Sequence, residues 1–405
     1  MNTRYKVPVN PFRPGAGHMP PFLAGRDREL DEISRLLDQQ VILENIVLTG
    51  LRGVGKTVLL ETIKPKAQEK NWWWVGADLS EAASLTDEHI AIRLLTDIAT
   101  VTSSLTIHRE KQLAFGFTSR ETEIETKLDY EALTGFFGRT PGLVSDKLKA
   151  VLELVWDLLP RDRVRGIVFA YDEAQNLTDH SERNQYPLSL LLDVFQSLQR
   201  KEIPFMLILT GLPTLFSKLI EARTFSERMF HIIVLERLDN DASREAITRP
   251  LESVGDNSIG FSDETVETIM NRSGGYPYFL QFICREAFDA AAQRIDQVAH
   301  YRLPIGVIIL KLDTDFFAGR WSRITDRQRE LLSVISSLDD CDTEFTVQEI
   351  VTVSRMMLSK GFSPSHTTQI LNSLCGAGLV YKNRHGRYSL AVPMLADFIR
   401  RQVQQ

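Results

Sequence analysis

The stretch that most limits what this chain can fold into is Gly50-Leu51-Arg52-Gly53-Val54-Gly55-Lys56-Thr57. Before it lies an apolar run, Asn45-Ile46-Val47-Leu48-Thr49, which reads as a buried strand. After it lies Val58-Leu59-Leu60-Glu61-Thr62-Ile63-Lys64, which reads as the start of an amphipathic helix. Gly-x-x-x-x-Gly-Lys-Thr between a strand and a helix is the phosphate-binding loop. Glycines let the backbone wrap around a phosphate and turn successive N–H groups inward. The helix N-terminus adds partial positive charge at the same point. An α/β fold is therefore expected, with Gly50, Arg52, Gly53, Val54, Gly55 and Val58 against a nucleotide. In this reading Lys56 reaches the β- and γ-phosphates and the Thr57 hydroxyl coordinates Mg²⁺.

The second chemical landmark is Gly166-Ile167-Val168-Phe169-Ala170-Tyr171-Asp172-Glu173, an apolar strand ending in two acids. By itself this pattern is common; its meaning comes from following a phosphate-binding loop. Asp172 is then expected to hold Mg²⁺ through its water shell, and Glu173 to polarise the attacking water. A further buried strand, 204–211, ends in Thr210, whose hydroxyl is a candidate sensor of the γ-phosphate and reads equally as a plain strand terminus. Arg228, just before the apolar run 230–235, is the candidate finger for a neighbouring subunit's γ-phosphate, with Arg223 as runner-up. Either reads equally as a surface ion pair.

At 405 residues and 43% hydrophobic composition, two or three domains are expected. A formal net charge of −6 argues against a chain that clings as a whole to nucleic acid or anionic membrane. Cys284, Cys341 and Cys375 are widely spaced and form no metal-ligand pattern, so they read as reduced thiols of a cytoplasmic protein. No secretory leader is expected at the start, and no run approaches the length of a membrane span.

Along the chain, residues 1–22 form a lead-in whose 7–22 stretch is rich in Pro and Gly. A helix opens near Gly25-Arg26, with apolar Leu30, Ile33, Leu36 and Leu37. Trp72-Trp73-Trp74 reads as a second sheet strand, not as a stacking platform. Residues 86–99 read as a helix capped by Thr86. Residues 105–128 have no clean period and are expected to be irregular, opening an insertion over 105–165; residues 130–159 read as helix broken at Thr140-Pro141-Gly142. The ATPase part is placed at 23–238 and a helical lid at 239–318, with lid helices expected at 241–252, 263–271 and 278–295. The remainder, 319–405, is expected to hold helices at 325–337, 346–359 and 365–377 and a hairpin turning near His385-Gly386. Three helices and a hairpin make a winged helix. Over 325–405 nine basic residues face eight acidic ones, and residues 365–377 contain neither Lys nor Arg. Only the hairpin, with Lys382, Arg384 and Arg387, is basic. Docking on protein is at least as well supported as reading DNA.

Together these residues resemble the STAND and archaeal-type branch of the AAA+ ATPases. The resemblance rests on Gly25-Arg26-x-x-Glu29-Leu30, Gly50 to Thr57, Asp172-Glu173-Ala174-Gln175-Asn176-Leu177, Thr210-Gly211-Leu212-Pro213 and Gly274-Gly275-Tyr276-Pro277. It is also similar to origin-recognition, transposition-accessory and secretion-associated ATPases. It implies a five-stranded parallel sheet with a helical lid, ATP with Mg²⁺, and homo-oligomers that respond to nucleotide. It further implies Arg26 beside the base and Pro277 at the nucleotide. A second-sensor arginine in a Gly-Asp-x-Arg context is missing, since the segment reads Gly-Gly-Tyr-Pro. The departure points to a switch acting on a protein partner more than to a hexameric motor. The rival expectation is an ATPase that grips duplex DNA through its winged helix. Neither a kinase acceptor signature nor an Asn-Lys-x-Asp guanine motif is present.

Overall fold

The apolar runs become strands: β1 (Asn45–Gly50), β2 (Trp72–Val75), β3 (Thr106–Leu113), β4 (Glu121–Lys127), β5 (Gly166–Tyr171), β6 (Phe205–Gly211), β7 (Phe230–Leu235), β8 (Phe345–Thr346), β9 (Val380–Arg384) and β10 (Arg387–Leu390). The structure, a computed structural model, describes residues 9–15, 17–113, 121–253, 260–293, 304–339, 341, 343–384 and 386–403. Five strands form the expected parallel sheet, in the order β2-β5-β6-β1-β7. Its register pairs Ile46 with Ile208 and Val168 with Met206. Every residue of β1, β5 and β6 is buried. A parallel sheet covered on both faces needs such unbroken apolar strands, and for that reason they stand out in the sequence.

Two compact units result. One holds residues 28–49 and 59–234; the other holds the chain up to Asp27, residues 50–58, and everything from Leu235 onward. The first unit contains the sheet. Helices Asp87–Thr102, Val144–Leu158 and Pro187–Gln199 bury Leu94, Leu152 and Phe195 in one cluster with Val47, Phe169 and Leu207. Thr86 caps its helix as expected, accepting from His89 N–H at 3.1 Å. The break at 140–142 separates helices Tyr130–Arg139 and Val144–Leu158. The tryptophans form β2: Trp72 is buried and donates Nε1–H to the Leu37 carbonyl at 3.0 Å.

One expectation is corrected. Thr106–Leu113 and Glu121–Lys127, within the stretch expected to be irregular, are the strands β3 and β4, which pair antiparallel; residues 114–120 lie outside the described residues. The register sets Arg109 opposite Glu125 and Lys111 opposite Glu123. A strand pair rich in charge shows no apolar alternation for a sequence reading to find.

In the second unit, the three helices expected over 241–295 are Asn240–Ser253, Asp263–Ser273 and Pro277–Ala292; residues 294–295 of the expected third helix lie outside the described residues. Among its described residues the Pro-rich lead-in has no helix or strand but is anchored. Phe12 is buried, with its ring 6.3 Å from that of Phe261 and 6.4 Å from that of Phe288. Further on, helices Asp326–Ser336, Val347–Met357 and Pro364–Gly376 match the three expected, and β8, β10 and β9 form a small antiparallel sheet. His385, in the expected turn, lies outside the described residues. The sequence reading did not anticipate the last helix, Leu395–Val403, which packs on Asp326–Ser336. Lid and C-terminal region share one hydrophobic cluster, from Ile283 and Phe288 through Phe317 to Leu332 and Phe398.

Candidate nucleotide site

The loop leaves β1 and enters helix Lys56–Glu69. Gly53 and Gly55 have φ of 83° and 97°, a left-handed backbone that residues with a Cβ rarely adopt. A Cβ at Gly55 would meet nothing within 4 Å, so backbone there borders open space. Lys56 Nζ donates to the carbonyls of Gly50 at 2.9 Å and Leu51 at 3.0 Å. A loop that curls its lysine over its own mouth suits a polyanion, to which an ammonium binds more strongly than to neutral carbonyls.

The rest of its unit grips this loop. Arg26 is buried, and its Nη2 donates to the Val54 carbonyl at 2.9 Å and the Glu236 carbonyl at 2.8 Å. The arginine expected beside the base thus braces the loop backbone. Pro277 opens its helix at the first position, where a missing N–H costs nothing. The next residue, Tyr278, donates its backbone N–H to the Gly53 carbonyl at 3.2 Å. Arg52 points toward the turn before β9, with Nη1 3.6 Å from where a Cβ on Gly378 would stand. Burial, and then the charge of Arg52, holds the Arg320 guanidinium below the usual arginine value. Two cations that repel each other beside a phosphate-binding loop would be relieved by an anion.

In the other unit, parallel pairing brings the C-terminal ends of β5 and β6 to one sheet edge. Asp172 is buried there; its Oδ1 accepts the Glu173 N–H at 2.8 Å, and its backbone bonds to Ala77 and Leu79. Glu173 has φ of 52°, an unusual backbone for a residue with a long side chain and a form of strain that gathers at working sites. Thr210 is fully buried, and its hydroxyl has no hydrogen-bond partner among the described residues. The arginines separate clearly. Arg223 makes a two-pronged ion pair with Asp193, at 2.8 and 2.7 Å, and also donates to Ser189 Oγ at 2.7 Å. Arg228 is exposed, in the short helix Ser226–Met229, and has no ion pair among the described residues.

Three residues of note escaped the sequence reading. Tyr278 and Arg320 carry no motif. Gln175 stood within Asp-Glu-Ala-Gln, but of its two side-chain partners, Glu173 and Leu212, the second is 37 positions away.

With this geometry in view, residues 23–209 match the family model described as the AAA ATPase domain. This part of the chain is an AAA ATPase domain. Residues 314–399 match a family described only as a domain of unknown function. No curated protein matches the chain. Among solved structures, the ORC2 protein of Aeropyrum pernix in its ADP form is similar at 13% identity and TM-score 0.53, covering 96% of each chain. That likeness shows the fold. The Aeropyrum pernix ORC1 protein in complex with DNA is similar at 16% identity, covering 95% of this chain and 94% of that one, with TM-score 0.48. DnaA from Aquifex aeolicus bound to AMPPCP is similar at 12% identity, TM-score 0.39, over 88% and 90% of the two chains. At those scores neither carries further weight. No described helix is long and apolar enough to cross a membrane.

Proposed function

We propose that the protein is an ATP-hydrolysing molecular switch whose nucleotide state is read by its lid and C-terminal region and passed to a protein partner. The carrying observation is that the phosphate-binding loop belongs to the same unit as those regions and is bonded to them through Gly53 and Tyr278. From Tyr278 an aromatic series runs outward. Its ring is 5.2 Å from that of Phe316, Phe279 is 6.0 Å from Phe317, and Phe317 is 5.0 Å from Phe398 in the last helix. A loop that tightens on phosphate would pull on the N-terminus of the lid helix and so on this series.

In this reading Lys56 and the loop amides hold the phosphates, Glu173 polarises water, Thr210 senses the γ-phosphate, and Arg228 serves a neighbouring copy in a homo-oligomer. Pro277 fixes the start of the lid helix at the nucleotide. Mg²⁺ would be held by Thr57 and Asp172. Among the described residues no group of three or more His, Cys, Asp or Glu is placed to hold a metal. Mg²⁺ commonly takes most of its ligands from phosphate and water. To move a population from 1:99 to 99:1, nucleotide must favour one state by about 5.5 kcal/mol.

A second reading is favoured by the exposed Lys382 on the basic β9–β10 hairpin: the C-terminal unit, 319–405, is a winged helix that grips duplex DNA. The absence of Lys and Arg from helix Pro364–Gly376 opposes it. The test is ATP turnover by the purified protein with and without duplex DNA, with Glu173→Gln as control. Slow turnover that ignores DNA and vanishes in Glu173→Gln supports the switch. Stimulation by DNA, lost with added salt and on neutralising Lys382, Arg384 and Arg387, supports the second reading. No turnover under either condition refutes hydrolysis by Glu173.

A further inference from the structure

We propose that Gln175 is a positioning residue that holds the Glu173 carboxylate in register with the end of β6. This rests on the reading of Glu173 as the group that polarises water.

Gln175 uses both ends of its amide. Its Nε2–H donates to Glu173 Oε2. Its Oε1 accepts the backbone N–H of Leu212 at 3.1 Å. The amide therefore spans from the acid after β5 to the backbone two residues beyond Thr210. An amide is suited to this position because one end donates and the other accepts. A carboxylate at 175 could still accept from Leu212 but would repel Glu173, and an apolar side chain of the same length would do neither.

The surroundings are built to keep Gln175 still. Lys218 Nζ donates to its backbone carbonyl at 2.8 Å and to Thr178 Oγ1 at 3.2 Å. That ammonium is itself desolvated, which holds it below the usual lysine value. Gly211 makes the room: a Cβ there would stand 2.7 Å from Gln175 Oε1 and 2.9 Å from Leu215 Cδ2. Both are too close, and helix Leu215–Ala222 offers little slack because Leu215 is fully buried. Glu173 has left-handed backbone and lies in an exposed turn, so its own backbone does not fix where the carboxylate points. A hydrogen bond from a neighbour with two other anchors does.

The consequence is a link between two functions. Glu173 is expected to act on water, Thr210 to sense phosphate, and Gln175 ties the first to the strand end that carries the second. Any shift of the β6 terminus is passed directly to the carboxylate.

The test uses the full chain, Gln175→Met and Gln175→Glu, and steady-state ATP hydrolysis beside direct nucleotide-binding titrations. Gln175→Met keeps length and burial and loses both hydrogen bonds. Gln175→Glu keeps the acceptor for Leu212 and replaces the donor by a negative charge. The expected result is a fall in kcat of about tenfold or more in Gln175→Met, from the loss of a hydrogen bond to a charged group, and a larger fall in Gln175→Glu. KM and nucleotide affinity should stay near those of the unaltered protein, and so should the urea midpoint of Gln175→Glu. Gly211→Ala, which pushes the amide aside, should lower kcat in the same way. Unchanged or raised kcat in Gln175→Met, or equal losses in Gln175→Met and Gln175→Glu, overturns the proposal. If Glu173→Gln itself keeps full turnover, the reading of Glu173 fails first, an outcome distinct from failure of Gln175 alone.

Discussion

Arg401→Met is the most quantitative perturbation that the structure offers. Arg401, in the last helix, holds Asp313 with Nε at 2.8 Å from Oδ2 and Nη2 at 2.6 Å from Oδ1. The Asp313 side chain is 7% exposed and that of Arg401 29%. The same two elements also meet through the stacked rings of Phe317 and Phe398, 5.0 Å apart at 18°. Methionine keeps the aliphatic stem and removes only the guanidinium. Breaking a buried ion pair by removing one partner costs about 3–5 kcal/mol, because the other charge is left without compensation. Arg401 is partly exposed, so water can reach the vacated space and relieve some of that. About 2–3 kcal/mol is expected. With a urea slope of about 2–3 kcal/mol/M, the midpoint should fall by roughly 1 M. Asp313→Leu combined with Arg401→Met removes both charges and should recover most of the loss. The assay is urea denaturation of the four corners of this cycle. A single-variant cost within about 0.5 kcal/mol, the size of a surface pair, would refute the reasoning that this bridge is desolvated and fastens the last helix.

Four further outcomes follow from the site and its supports. Lys56→Ala should abolish tight ATP binding, whereas Glu173→Gln should retain it and lose turnover; titration with ATP beside a phosphate-release assay separates them. Thr210→Val removes a buried hydroxyl that has no partner among the described residues, so stability by urea denaturation should be unchanged or raised by up to about 1 kcal/mol, while turnover falls if the hydroxyl serves the γ-phosphate. Arg228→Ala should leave the urea midpoint unchanged and depress only turnover that rises with protein concentration; Arg223→Ala should destabilise by about 1 kcal/mol, since its pair with Asp193 is half in water. Tyr171 donates its hydroxyl to Asp97 Oδ2 at 2.9 Å, and burial, then the Asp97 charge, pushes it well above the usual tyrosine value of 10.0. The folded state therefore holds that proton after the unfolded chain has released it. Stability contributed by this group is complete below pH 10 and falls above it, by at most about 1.4 kcal/mol per pH unit. Tyr171→Phe should flatten that alkaline decline in urea midpoints taken from pH 9 upward.

The sequence by itself determined the parts whose chemistry is local. A phosphate-binding loop needs glycines, a lysine and a helix start within eight positions, so Gly50 to Thr57 could be read directly. The buried strands 45–50, 166–171 and 205–211 were legible because a parallel sheet covered on both faces admits only apolar runs. The helix cap Thr86 lies three residues from the N–H group it accepts. Tertiary structure alone decided whatever depends on distant partners. The charged hairpin of β3 and β4 is specified by cross-strand register, which leaves no mark on either strand separately. Arg223 and Arg228 look alike in the sequence, but the fold brings Asp193, 30 positions away, to the first, and no ion-pair partner among the described residues to the second. Gln175 meets Leu212 across 37 positions and Arg401 meets Asp313 across 88. Such pairs exist only once sheet and helix packing have closed the intervening chain, because a polar side chain can satisfy its hydrogen bonds with any suitable partner that the fold brings within about 3 Å.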